Sequence, residues 1–272
     1  MTHAASKPVA HATDAPIFVD RVALRVRDLD RVGDFYQRAI GLDRVSGDGE
    51  TLRLGRGGKV LLELRSDPAA RSYPAAAGLF HTAFLLPTRA ELGGWLRHAA
   101  QLNLRIEGAA DHLVSEAVYL SDPEGNGIEI YADRPREMWE RDGATVRMAN
   151  ARLDIPGLMQ IASEWRGAPE GTVIGHVHLQ VGQIPEAERF YAGTLGLDLS
   201  SRMPSASFYA SGGYHHHIAT NTWNSRDSGP RSADSAGLAE LVLSVTPERA
   251  AVLGQSEFDD PWNNRIRIEE RR

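Results

Sequence analysis

Residues 172–181 read T-V-I-G-H-V-H-L-Q-V, and they run at once into an amphipathic stretch, P-E-A-E-R-F-Y at 185–191, and a turn, L-G-L at 195–197. The same phrase occurs near the N-terminus as V-D-R-V-A-L-R-V (19–26), D-F-Y (34–36) and I-G-L (40–42). In the first copy, Arg21 stands where the later copy has His176. A duplicated unit that carries a histidine in only one copy defines an architecture and nominates a ligand.

Working outward, four copies emerge. The first opens on an alternating strand (Val22, Leu24, Val26), and Leu29 leads into a helix carrying Phe35 and Tyr36. Short strands follow at 51–54 and 59–64, split by a G-R-G-G turn, which makes the unit βαβββ. The second begins at Gly78 with L-F-H-T-A-F-L-L and predicts a helix over 91–102. Strands are expected near 104–106, 117–120 and 128–131, the last two joined by the turn D-P-E-G-N-G. The third runs from Ile174 to about Trp223, with Y-H-H-H-I-A-T as its last strand. The fourth runs from Gly237 to D-P-W-N-N-R-I-R-I-E, which echoes D-P-E-G-N-G-I-E-I-Y, and its middle strands read as trimmed. Residues 1–16 read as a disordered tail, 17–134 as a first two-unit domain, 135–172 as a linker with a short helix near Leu158, and 173–270 as a second two-unit domain.

The 272 residues allow an ample core. A net charge of -6 argues against nucleic acid or an anionic membrane as the main partner. No apolar run approaches the roughly 20 residues of a membrane span, and the N-terminus has no apolar signal core, so a cytoplasmic location is expected. With no cysteine, disulfides and thiolate ligands are excluded, and a metal would rest on His, Asp or Glu.

Repeats of this size cannot bury their own sheet faces and must pair. Four βαβββ units, with G-H-V-H-L-Q-V and D-P-E-G-N-G-I-E-I-Y-A-D as the most specific phrases, resemble the vicinal oxygen chelate superfamily, and within it the extradiol ring-cleaving, catechol 2,3-dioxygenase-like branch. The resemblance covers about residues 17–270 and implies an α+β fold in which paired units close cupped, mixed sheets around one metal. It also implies metal positions on the first and last strand of each unit. Here the first strands offer Arg21, His81, His176 and Glu240; the last strands offer Glu63, Glu129, the 214–218 region and Arg267. Pairing neighbouring units puts an arginine at a metal position of each cup. Pairing two with three gathers His81, Glu129 and His176, and leaves Arg21, Glu63, Glu240 and Arg267 to neutralise one another in the other cup. The second pairing is favoured.

Two histidines and a carboxylate on one face leave open coordination positions and match the ligand set of non-haem Fe(II) oxygenases, with Mn(II) and Zn(II) as alternatives. In Y-H-H-H, strand alternation puts His216 on the cup face, where it resembles the second of the paired extradiol histidines, an acid–base catalyst. His215 and His217 are expected to face solvent or an interface. Tyr119 lies ten residues before Glu129 and resembles the extradiol active-site tyrosine; His112 resembles the loop histidine of those enzymes, though at a different spacing. His178 shares the face of His176, and Asn221 and Trp223 are placed at the mouth. The resemblance thus implies an Fe(II)-dependent dioxygenase of aromatic-compound catabolism, acting on a small aromatic diol with O2. A glyoxalase-like isomerase or lyase and a small-molecule-binding resistance protein are the alternatives, and a homo-oligomer stays open.

Overall fold

The computed structural model describes residues 12–143 and 145–271. Unit one comprises β1 (Ile17–Val26), α1 (Leu29–Phe35), β2 (Asp43–Gly47), β3 (Thr51–Arg56) and β4 (Lys59–Ser66). Unit two comprises β5 (Gly78–Leu86), α2 (Arg89–Gln101), β6 (Gly108–Asp111), β7 (Ser115–Ser121) and β8 (Gly127–Asp133). The connecting segment holds the short strands β9 (Arg141–Asp142) and β10 (Thr145–Val146) and a helix, α3 (Ile155–Ile161). Unit three comprises β11 (Val173–Gln180), α4 (Ile184–Glu188), β12 (Asp198–Met203), β13 (Ala206–Ala210) and β14 (Ile218–Asn221). Unit four comprises β15 (Gly237–Val245), α5 (Pro247–Leu253), β16 (Glu257–Asp259) and β17 (Arg265–Glu270), with one strand fewer than the others.

The fold is α+β, and its two large sheets cross the repeat order. One runs β16-β17-β15-β1-β4-β3-β2 and the other β12-β13-β14-β11-β5-β8-β7-β6. Units one and four therefore share a sheet, as do two and three. At each centre, first strands from opposite halves pair antiparallel, β1 with β15 and β11 with β5. The two sequence halves, 17–134 and 173–270, are thus repeat copies and not two separately closed cups.

One apolar core spans both sheets, including Val22, Leu24, Phe84, Ile128, Ile174, Val177 and Leu241. Strand alternation then decides what faces away from it. On β8, Ile128, Ile130 and Ala132 enter this core, so Glu129, Tyr131 and Asp133 share the opposite face. On β11 the register shifts between Ile174 and His176. This bulge is what lets Ile174, Val177 and Leu179 reach the core while His176 and His178 face the cup. Gly175 is required there, because a Cβ would lie 1.7 Å from the Tyr131 hydroxyl. A matching shift between Val19 and Arg21 does the same for β1.

Three sequence expectations change. Of the N-terminal segment, residues 1–11 lie outside the described residues, but Ala12 and Ala15 are buried, and the Ala12 carbonyl is 2.9 Å from His217 Nε2. The strand expected near 104–106 is instead β6 at 108–111, because the chain turns through Asn103, which has a positive φ, before pairing. The 135–172 segment is more than a connector. Trp139 and Val146 pack into a small cluster with Tyr131 and Tyr214, and Arg136 and Arg141 hold the carbonyls of Gly212 and Gly213. No described helix is long and apolar enough to cross a membrane.

Candidate metal centre and active site

His81 on β5, Glu129 on β8 and His176 on β11 occupy three adjacent strands of the sheet shared by units two and three. The register sets them: Ala83 pairs with Glu129 on one side and with His176 on the other, and His81 lies two residues before it on the same face. His81 Nε2 lies 3.0 Å and His176 Nε2 3.2 Å from Glu129 Oε2, and the two nitrogens are 3.3 Å apart. All three side chains are buried, Glu129 and His176 to within 2% exposure.

Burial alone would raise the Glu129 pKa, but the facing imidazoles of His176 and His81 hold it well below the usual carboxylate range. Burial pushes His176 down to about 4 against the pull of Glu129. The pair therefore consists of an anionic carboxylate and a neutral imidazole at neutral pH, the protonation state metal ligation requires. A buried anion facing two imidazole nitrogens that converge on one of its oxygens fits a divalent cation. One carboxylate with two histidines matches the facial set of non-haem iron sites, with manganese or zinc also accommodated.

The triad floors a cavity of about 830 Å³ whose lining also includes Tyr119, His112 and His216. The three expected ligands and the three expected catalytic residues, His216, Tyr119 and His112, thus meet in one space. The His112 Nδ1 lies 3.1 Å from the Ala149 carbonyl and donates to it, which leaves Nε2 to accept from the Tyr119 hydroxyl at 2.6 Å. Burial, and then the nearby Glu129, push the Tyr119 pKa well up, so the phenol stays protonated. The His216 ring stacks obliquely on His176, with centroids 4.1 Å apart, and burial lowers its pKa well below the ordinary value. Phe80, Phe208 and Trp223 wall the cavity with aromatic surface, and His178 Nε2 and Gln180 Oε1 are buried without protein partners among the described residues. Asn221 does not line the cavity; its Oδ1 accepts from the Trp223 backbone N–H.

The histidine run departs from expectation. Residues 211–217 form an irregular turn, and β14 begins only at Ile218. Two glycines with positive φ, Gly212 and Gly213, break the strand that the alternation presumed. His216 still lines the cavity, but its orientation comes from this turn. His215 and His217 are fully buried and face neither solvent nor an interface. His217 Nδ1 accepts from the Ser211 N–H, a structural contact, while His215 lies between Tyr214 and Trp139 and reaches Asp133. Asp133 and Tyr131 were not picked out from the sequence, and Tyr214 entered only as part of the 214–218 region. Counting by twos from Glu129 along β8 would have found the first two.

The opposite sheet carries the charged counterpart, a cavity of about 490 Å³. Glu240 pairs with Arg65 at 3.1 Å and Arg267 at 2.8 Å, and Glu63 with Arg53 and Arg65, both at 2.7 Å. Arg21 does not join Glu63 or Glu240; it turns to Glu269 and Asp20. Arg53 and Arg65 on neighbouring strands supply the neutralising charge instead.

Residues 18–130 and 173–246 match the model of the glyoxalase/bleomycin resistance protein/dioxygenase superfamily. A catechol-2,3-dioxygenase of Bacillus subtilis (strain 168) is 43% identical over 223 residues, 79% of this chain and 78% of its own. Among solved structures, a Bacillus subtilis protein described as a dioxygenase superposes with a TM-score of 0.62 at 14% identity, covering 93% of this chain and 84% of its own. Glyoxalase I from Zea mays superposes with a TM-score of 0.55 at 15% identity, covering 96% and 94%. At these identities the two structures speak for the fold alone.

Proposed function

Because the chain belongs to the glyoxalase/bleomycin resistance protein/dioxygenase superfamily and is an oxidoreductase of its catechol-2,3-dioxygenase-like kind, we propose that it cleaves a catechol-type diol next to the two hydroxyls, using O2 and Fe(II). The observation that carries the reading is the convergence of His81, His176 and Glu129 on the floor of the cavity that His216 and Tyr119 also line. His81, His176 and Glu129 would hold the metal, which supplies orientation of the diol oxygens and an electron path between substrate and O2.

The remaining roles fall to the protein's own groups. Phe80, Phe208 and Trp223 offer a flat ring an apolar aromatic wall, with Phe80 and Trp223 packed edge-on against each other. His216, neutral because it is buried, accepts the proton of one substrate hydroxyl and later returns it. Tyr119, whose hydroxyl lies 2.6 Å from His112 and beside Glu129, hydrogen-bonds the diol oxygens. In the overall reaction the carbon–carbon bond beside the diol breaks, and both atoms of O2 enter the ring-opened product. A cytoplasmic site of action accompanies this reading.

The test is anaerobic loading with Fe(II), followed by O2-uptake and product spectra with catechol and its 3- and 4-substituted derivatives. Stoichiometric O2 uptake with a ring-opened product supports the proposal. No uptake with any diol, or turnover of a hemithioacetal instead, overturns it in favour of non-oxidative chemistry.

A further inference from the structure

His215 is fully buried yet makes two polar contacts, and both run through its ring. Its Nε2 is 2.9 Å from Asp133 Oδ1, and its Nδ1 is 2.8 Å from His216 Nδ1. A carboxylate offers no hydrogen, so the hydrogen in the first contact belongs to His215 Nε2. A neutral His215 then has a bare Nδ1, which can only accept. The second contact needs a donor, and that donor is His216 Nδ1–H. His216 Nε2 is thereby left without its hydrogen, on a ring that lines the cavity, and no hydrogen bond to it is found among the described residues.

The far side of Asp133 is equally determined. The Tyr214 hydroxyl donates to Asp133 Oδ2 at 2.8 Å, so its oxygen accepts from the Tyr131 hydroxyl at 2.9 Å. Tyr214 and Tyr131 are buried, and Asp133 has no described cation within ion-pairing distance apart from whatever charge His215 carries. Five side chains from β8 and the 211–217 turn thus form one directed chain with a single carboxylate at its centre.

We propose that Asp133 and His215 are positioning residues that fix the tautomer of His216, so that its Nε2 is the bare nitrogen presented to the diol. The proposal rests on the dioxygenase reading only for its consequence in turnover; the tautomer itself is a property of the metal-free protein. Neither residue touches the diol. Each acts by deciding which nitrogen of the next ring holds the hydrogen, as second-sphere carboxylates do for histidines elsewhere.

The experiment uses metal-free full-length protein with 15N-labelled histidine, reading each ring nitrogen as protonated or bare. Wild type should show bare nitrogens at His215 Nδ1 and His216 Nε2. In Asp133→Asn, Tyr214 holds the amide oxygen and the amide hydrogens turn to His215 Nε2, so both tautomers should reverse. In the Fe(II)-loaded protein, kcat should then fall by about 10²-fold or more, within the range of general acid–base effects, with KM for catechol changed by less than about threefold. A protonated His216 Nε2 in wild type, including one imposed by a doubly protonated His215, would overturn the proposal. So would an Asp133→Asn protein with unchanged tautomers or near-normal kcat. The wild-type spectrum decides even if Asp133→Asn fails to fold. Absence of ring cleavage in wild type would count against the dioxygenase reading and leave the tautomer assignment, which the nitrogen shifts decide, untouched.

Discussion

Tyr191, in unit three, donates its hydroxyl hydrogen to Asp260, in unit four, at 2.8 Å. Asp260 also accepts from the Trp262 and Asn264 backbone N–H groups and from the Asn264 amide. The first half repeats the arrangement more loosely: Tyr36 meets Asp122 at 3.5 Å, and Asp122 gathers Glu124 and Asn126 in the same way. The sheets join units across the halves, and these tyrosines join units within each half. Asp260→Ala would strand four donors in a buried turn. With each stranded group costing about 1–3 kcal/mol, partly relieved by water, we expect a loss of roughly 3 kcal/mol in denaturant unfolding, and about 1–2 kcal/mol for Tyr191→Phe. Metal content should not change. Equal stability of the Asp260 variant and wild type would refute the bracing role.

Alanine at His81, Glu129 or His176 should abolish stoichiometric metal uptake, measured by elemental analysis after loading, while circular dichroism stays native. Adding the metal should also raise Tm in wild type, since ligand at about 100 times Kd stabilises by about 2.7 kcal/mol. His176→Ala retaining full metal would remove this residue from the ligand set.

His216→Phe should keep its metal and its affinity for catechol but lose about 10²–10⁴-fold in kcat. His217→Phe should act on stability instead, because His217 holds the Ser211 N–H and the Ala12 carbonyl and lies away from the cavity. Undiminished ring cleavage in His216→Phe would exclude it as the acid–base group.

Glu240 is nearly buried between Arg65 and Arg267, whose side chains are about two-fifths exposed. Breaking a fully buried pair costs about 3–5 kcal/mol, and solvent screening here brings the expected loss in Glu240→Ala to about 2 kcal/mol. Metal occupancy should be untouched, since the cluster lies on the other sheet. A drop in metal content would show that the two cups are coupled.

Acid stability should depend on Glu63. Burial would raise its pKa, but Arg65 and Arg53 hold it below the usual carboxylate value. A carboxylate with a lower pKa in the folded than in the unfolded state stabilises fully above the unfolded value, near 4.3. That contribution is lost as the pH falls through the folded value. Glu63→Gln should therefore be less stable than wild type at pH 7, with the gap closing below about pH 4. Urea midpoints across that range check the sign, and a gap that widens on acidification would contradict it.

Some of this molecule was legible in its sequence because the information is local. Period-two strands, the D-P-x-x-N turns and the duplicated phrase fix four units. The resemblance to the superfamily implied metal positions on their first and last strands, and charge at those positions favoured pairing two with three. Glu129, His81 and His176 followed from repeat position. Chain folding decided the rest, wherever the outcome depends on residues far apart. The bulge at Gly175 sets which face His176 takes, and that depends on a tyrosine 44 residues earlier. The strand read through Y-H-H-H gives way to a turn at Gly212 and Gly213, so alternation could not fix the direction of any of the three rings. Arg21 chose Glu269, 248 residues away, over the carboxylates its repeat position suggested. His215, taken for a surface residue, is tied to an aspartate 82 positions distant. A pattern records which residues share a face. It does not record which atom each buried polar group finds, because every such group must be satisfied by whatever the packing brings within about 3 Å.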